Sequence, residues 1–195
     1  MAAALELFSS RGFSDVSMSD VARAAGVTKA ALYYHFADKS DLFTRVSLER
    51  IAGIRAAMEE AVADDGSLED RLVRLVMVGF ERLEADVYGP HLYAHEHLDE
   101  AHHQQLHVEM ERLQEPVIRC FEEAGPPKAQ LSPAAAATLL GGIVASLIFT
   151  GGGGQAAAEP ALPADRHERA VLSIRLFLRG YWSLARGDAA DPERH

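Results

Sequence analysis

Apolar residues recur at helical spacings along the chain, and the polar residues between them mark where each helix starts and stops. A first helix is expected in the run Ala2, Ala3, Ala4, Leu5, Glu6, Leu7, Phe8. Ser17 and Asp20 are spaced as a capping box, so a second helix should run from Met18 to Ala25. Gly26 follows the last apolar position, where a left-handed residue ends a helix without Cβ strain, and Val27 is placed to make the accompanying hydrophobic contact. Thr28 caps a third helix beginning at Lys29 and continuing through Phe36. The small Ala22 lets these two short helices cross at the steep angle of a helix-turn-helix. Leu32 and Phe36 share one face and should pack inward with Val21 and Ala25, which turns Ala30 and Tyr34 outward.

Farther on, Asp38 and Asp41 cap a long helix over residues 39–63, with Leu42, Phe43, Val46, Ile51, Ile54 and Met58 at helical spacings. Residues 64–67 end it and open a helix over residues 68–88, apolar on nearly every side in its middle and therefore suited to the centre of a bundle or the wall of a ligand cavity. Another helix is expected over residues 104–124, stopped by Gly125, Pro126 and Pro127. Ser132 and Pro133 start the next, and the Asp165 to Glu168 spacing starts the last, which carries Val171, Leu172, Ile174, Phe177, Leu178, Tyr181, Trp182 and Leu184.

On the outward face of the third helix, small Ala30 and Ala31 lie beside Tyr33, Tyr34 and Lys29. Small residues allow approach to base edges, and hydroxyls and a cation suit phosphates, so the surface fits DNA. Lys39 in the first turn of the long helix opposes the macrodipole, at a cost of up to about 1 kcal/mol, which points to an anionic partner; the plain alternative is a solvated lysine.

These residues carry a resemblance. Ala3 to Phe8, Gly12-Phe13, Val21-Ala22, Ala25-Gly26-Val27, Leu32-Tyr33-Tyr34-His35-Phe36, and Lys39 with Leu42-Phe43 resemble the N-terminal domain of the tetracycline-repressor (TetR) family over about the first fifty residues. The resemblance implies an all-α protein with a three-helix DNA-binding domain, residues 1–45, and a larger helical domain for ligand binding and dimerisation, residues 46–195. It implies a cytoplasmic homodimeric regulator, expected to be a repressor, that binds a palindromic operator and is released by a small hydrophobic molecule, with no cofactor. It makes Thr28, Lys29, Ala30, Tyr33, Tyr34, His35 and Lys39 the expected DNA contacts, with Ser17 a further phosphate contact. One departure is that the family usually carries several residues, often basic, before the first helix, so truncation of a longer natural chain is expected here.

The formal net charge of −10 argues against nucleic acid until it is mapped. Residues 1–50 carry six Lys/Arg and six Asp/Glu, whereas residues 51–195 carry thirteen and twenty-three. The acidity lies wholly outside the proposed reader, so binding should rest on a few local cations, be salt-sensitive and gain from dimerisation. The single cysteine, Cys120, sits in an apparently helical run; a core thiol is the better reading than a redox sensor, since the chain holds no second thiol to resolve it.

The second half offers chemistry of its own. Histidines 91, 95, 97, 102, 103 and 107 are interleaved with acids, and the pairs His91/His95 and His103/His107 have the i, i+4 spacing that can chelate a metal, although an exposed polar helix also accommodates them. By resemblance chiefly, Met77, Phe80, Tyr93, Met110 and Phe121 are candidates to line a hydrophobic pocket. Residues 133–150 are uncharged and long enough to raise a transmembrane helix, but the small residues of their first third, the glycines that follow and the lack of a basic flank favour packing in water. Ala137, Gly141 and Ala145 form a small-residue stripe for close helix approach, and by resemblance the last two helices form the dimer interface. The Gly151 to Gly154 run lacks the Gly-Lys-Ser/Thr of a phosphate cradle and reads as a loop. Two other classes remain: a metal-dependent enzyme built on the 91–107 segment, and an architectural DNA-binding dimer without inducer.

Overall fold

The computed structural model describes residues 1–82, 98–125, 131–150, 163 and 165–186, and among them every regular element is a helix. In chain order these are α1 (Ala2–Arg11), α2 (Met18–Ala25), α3 (Lys29–His35), α4 (Lys39–Ala63), α5 (Leu68–Arg82), α6 (Glu100–Arg112), α7 (Glu115–Glu123), α8 (Pro133–Thr150) and α9 (Arg166–Arg186). They fall into two compact units. The first holds Met1–Arg55 with the described part of Leu83–Leu113, and the second holds Ala56–Arg82 and the described residues from Gln114 on. This division differs from a cut after residue 45, because α6, far along the chain, clusters with the N-terminal helices.

The first unit closes around three phenylalanines. Phe8 meets Phe43 edge to face at 5.1 Å and 88°, Phe13 meets Phe43 at 5.2 Å and 79°, and Phe8 stacks on Phe13 at 6.1 Å. Edge-to-face pairs of this kind add about 0.5–1.5 kcal/mol each beyond the area they bury. Val16, Met18, Val21, Leu32, Leu42 and Val46 complete that core.

In the second unit α5 packs against α7, α8 and α9 through Leu72, Val73, Leu75, Val76 and Phe80, while Glu69, Asp70 and Arg71 make it more two-sided than its apolar middle suggests. Leu72, Val76, Phe80, Cys120, Phe121, Ala136, Ala170 and Ile174 are all buried there. Burial pushes the Cys120 thiol above its ordinary pKa, with the Arg71 guanidinium opposing, which fits a packing thiol. Ion pairs tie the rim: Arg71 to Glu123 at 2.6 Å, Arg175 to Glu69 at 2.7 Å, and Arg119 to Glu59.

The single helix expected over residues 104–124 is two. Asp99 Oδ1 accepts from His102 N at 2.9 Å, so α6 starts at Glu100, and the chain turns at Leu113 and Gln114 before α7. The cause is Pro116, which has no N–H to give to the carbonyl four residues back but is tolerated in the first turn of a new helix. Ser132 caps α8 as expected, its hydroxyl accepting from Ala135 N at 3.2 Å. Among the described residues no helix is long and apolar enough to cross a membrane.

Candidate nucleic-acid interface

Hydrogen bonds fix both ends of α2 and the start of α3. Ser17 Oγ accepts from Asp20 N at 3.2 Å while Asp20 Oδ2 accepts from Ser17 N at 3.1 Å and from the Ser17 hydroxyl. The Ser17 hydroxyl and N–H hold the Asp20 carboxyl below the usual carboxylate range. Gly26 lies at φ 67°, and a two-bond closure ends α2: Val27 N donates to Ala22 O and Gly26 N to Arg23 O. Thr28 Oγ1 then accepts from Ala31 N at 3.1 Å and starts α3. That bond uses one lone pair of the hydroxyl and leaves its hydrogen able to donate outward.

Burial sorts the faces of α2 and α3. Val21, Ala22 and Leu32 are buried. Ala25, expected inside, is exposed, and Phe36 is half-buried with the Arg45 guanidinium 5.6 Å above its ring. The tight closure at Gly26 turns the end of α2 outward, so the inward stripe stops one turn early; Val27 is 45% exposed for the same reason. Tyr34 is 85% exposed with His35 edge-on at 5.1 Å, and Tyr33 is 46% exposed with Lys29 Nζ 5.7 Å over its ring. Ala30 is exposed between them. A short helix thus presents two phenols, an imidazole, a cation and small residues on one solvent face.

Two other expected contact residues have partners within the protein. Both Ser17 donors are directed at Asp20. Lys39 Nζ donates to Phe13 O at 2.8 Å and to Ser14 O at 3.4 Å, and lies 4.2 Å over the Phe13 ring. Burial draws its ammonium below the ordinary lysine pKa, with the Asp15 carboxylate opposing. The cation at the start of α4 therefore has neutral carbonyl partners within the fold. Nothing in its local sequence could signal them, since they lie 26 and 25 residues away.

The pocket candidates separate. Phe80 and Phe121 are buried in the second unit, with Met77 half-buried on the same helix as Phe80. Met110 belongs to α6 of the first unit, so it does not join them in one unit, and Tyr93 lies outside the described residues. A residue not singled out by the sequence stands beside Phe121. Tyr181 stacks on Phe177 at 6.2 Å, lies 5.2 Å from Phe121 and is 3% exposed, yet among the described residues its buried hydroxyl has no hydrogen-bond partner. An unpaired buried hydroxyl costs about 1–3 kcal/mol, and burial also raises the Tyr181 pKa. The one available signal is a tyrosine in the apolar stripe of α9, which does not distinguish a satisfied phenol from an orphan.

Of the metal candidates, His91 and His95 lie outside the described residues. His103 and His107 stack with centroids 6.4 Å apart and 7° between planes, His107 Nε2 is 3.3 Å from Glu111, and His102 Nδ1 is 2.7 Å from Asp99. Among the described residues no three metal-ligating side chains converge.

The sequence profile described as "Bacterial regulatory proteins, tetR family" matches residues 1–46. Over 43 residues the chain is 56% identical to the HTH-type transcriptional regulator AcrR of Shigella flexneri, covering 22% of this chain and 20% of that protein. Over 87 residues it is 31% identical to the HTH-type transcriptional activator FasR of Mycolicibacterium smegmatis, covering 45% and 40%. The chain thus matches between about a fifth and two fifths of the length of these relatives. The fold extends farther. The TetR-family regulator PfmR of Thermus thermophilus superposes with a TM-score of 0.65 at 25% identity over 90% of this chain and 94% of that one. A transcriptional regulator of Pseudomonas aeruginosa PAO1, described as putative, superposes at 0.76 and 19% identity over 95% and 90%, a likeness of fold alone.

Proposed function

We propose that the chain is a member of the TetR family of bacterial regulatory proteins, whose profile matches residues 1–46, and that it is a homodimeric, ligand-responsive repressor that docks α3 in the major groove of a palindromic operator. The observation that carries the DNA-binding part is the exposed face of α3, where Tyr34 stands 85% exposed on a helix held from behind by Leu32. Thr28, Lys29 and Tyr33 would contact phosphates, and Ala30, Tyr34 and His35 would face the base edges.

Dimerisation has its own support. Leu139 and Ile143 on α8 and Leu172 and Leu176 on α9 are exposed large hydrophobics, each pair four residues apart, and α8 and α9 pack together. Water-exposed leucine on two adjacent helices favours a second copy as cover. Of the Ala137, Gly141, Ala145 stripe, Ala137 is buried within the subunit and Gly141 is exposed, so only part of the stripe is used in packing the subunit's own core.

The ligand site we place at Phe121, Phe177 and Tyr181. An apolar molecule with one hydrogen-bonding oxygen would satisfy the orphan Tyr181 hydroxyl, and the residues argue for no narrower class. Such a ligand releases DNA only to the extent that it prefers the DNA-incompetent arrangement. The test is a selection of bound fragments from the source genome, followed by titration of the enriched duplex with wild type and Tyr34→Ala. Enrichment of an inverted repeat that Tyr34→Ala binds at least about tenfold more weakly is expected, a loss of about 1.4 kcal/mol. No enrichment over input would overturn the proposal.

A further inference from the structure

Within the second unit, the end of α4, the turn after it, the start of α5 and one face of α7 surround an open cleft of about 480 Å³, inside the range of about 300–1,000 Å³ usual for small-molecule sites. Its charged lining is Glu59, Asp64, Asp65, Arg71, Arg119 and Glu123. Arg119 of α7 pairs with Glu59 of α4, and Arg71 of α5 donates to Glu123 of α7 at 2.6 Å. A guanidinium has five N–H donors and each of these gives one bond to its carboxylate, so both keep donors for a further acceptor. The buried Arg71 Nε has no oxygen partner among the described residues. Asp64 and Asp65 directly follow α4, whose last turn has no basic residue, so the carbonyl end of the helix adds to their negative field. Arg74 is turned to the backbone there, donating to Ala61 O at 2.6 Å and to Asp64 O at 3.4 Å.

Four carboxylates against two guanidiniums leave the lining two negative charges in excess. A plain anion meets that excess, and a plain cation leaves the guanidinium donors unused. A molecule carrying both signs, with its cations outnumbering its carboxylate, answers each group. We propose that the cleft is a binding site for a small basic zwitterion of the diamino-acid class: its carboxylate bridges Arg71 and Arg119, and its ammonium groups lie against Asp64 and Asp65. The site is separate from the apolar position at Phe121. Arg119 and Glu123 are four residues apart on one face of α7, whereas Cys120 and Phe121 between them are buried on other sides of it. The second unit thus has a polar ligand site of its own, which does not depend on the DNA-binding function proposed above.

Isothermal titration calorimetry of the full chain with L-lysine, in the absence of DNA, tests the site. L-Lysine should bind saturably with a Kd of about 1 mM or below, whereas cadaverine, which lacks the carboxylate, and N-acetyl-L-glutamate, which lacks the cations, should each bind at least about tenfold more weakly. Arg119→Gln, and separately Asp64→Asn with Asp65→Asn, should each weaken L-lysine binding at least about tenfold, while Tyr181→Phe, on the apolar side, stays within about twofold of wild type. Arg119 and both aspartates are exposed, and circular dichroism checks that each variant is folded. If Arg119→Gln fails to fold, the paired aspartate variant, which leaves the Glu59 and Glu123 ion pairs intact, carries the test. No saturable heat with L-lysine up to about 10 mM, cadaverine binding as tightly as L-lysine, or unaltered affinity in a folded variant of either set would overturn the inference.

Discussion

Each unit opens one of its helices with the same device, and the two then diverge. Ser17 and Asp20 open α2 with reciprocal hydrogen bonds of 3.2 and 3.1 Å, and Ser67 and Asp70 open α5 with bonds of 3.1 and 3.2 Å. Behind its cap α2 buries three residues and hands the chain to a seven-residue helix whose outer face stays in water. Behind the same cap α5 buries six residues and becomes the centre of a bundle. Charge divides along the chain rather than between the units: residues 1–50 balance six cations against six anions, and the whole deficit of ten lies beyond them, part of it on α6 of the first unit. A polyanion meets no net repulsion over residues 1–50, whereas the second unit exposes Leu139, Ile143, Leu172 and Leu176, which call for apolar cover. What differs is the destination of the exposed residues, phenols and small side chains in one unit and leucines in the other.

The comparison can be broken first at the cores. Phe43→Ala should destabilise the first unit by about 3–5 kcal/mol, since it empties the centre of the three-ring cluster, and urea denaturation followed by circular dichroism would show it. Next come the exposed leucines. Leu172→Glu with Leu176→Glu should leave each subunit folded but shift the mass by analytical ultracentrifugation from twice 21.2 kDa to 21.2 kDa, with operator affinity falling at least about a hundredfold as paired half-site binding is lost. Tyr181→Phe sharpens the second unit: removing the orphan hydroxyl should raise stability by up to about 1 kcal/mol in the absence of ligand, whereas a loss would mean that the hydroxyl has a partner in the free protein. Smallest are the caps. Ser17→Ala and Ser67→Ala should each cost about 1 kcal/mol and remove the same acid dependence. Asp20 and Asp70 both have folded pKa values below the ordinary 3.8, chiefly through the serine hydroxyls, so their contribution is present above that value and lost as pH falls through the lower folded one. Acid titration of wild type and the two alanine variants should show this loss in both units in the same window.

The sequence exposes what is local. A serine three residues before an aspartate, a glycine after an apolar run and a Ser-Pro pair each fix a helix end through bonds between near neighbours, and each is found where its spacing puts it. Pro116 is an equally local signal, and weighing it against the apolar spacing around it divides the single helix expected over residues 104–124 into two. Tertiary partners leave no such trace. The carbonyls that hold Lys39 are 26 and 25 residues away, and the Glu123 that pairs with Arg71 is 52 away. The outward turn of Ala25 follows from the closure geometry at Gly26, and the orphan hydroxyl of Tyr181 from which rings surround it. Hence the face of α3 was legible, and the bonds from Lys39 to the Phe13 and Ser14 carbonyls were not.

The central claim is that the first unit reads DNA through the face of α3 while the second unit does not touch it. Its most direct measurement is fluorescence anisotropy of a selected operator duplex, titrated across salt with wild type, Tyr34→Ala, and a control, Arg175→Ala, that alters an ion pair of the second unit. The account predicts a loss of at least about tenfold for Tyr34→Ala and a change under about twofold for the control, with affinity falling steeply as salt rises. Equal affinity for wild type and Tyr34→Ala, or a larger loss from the control, would contradict it.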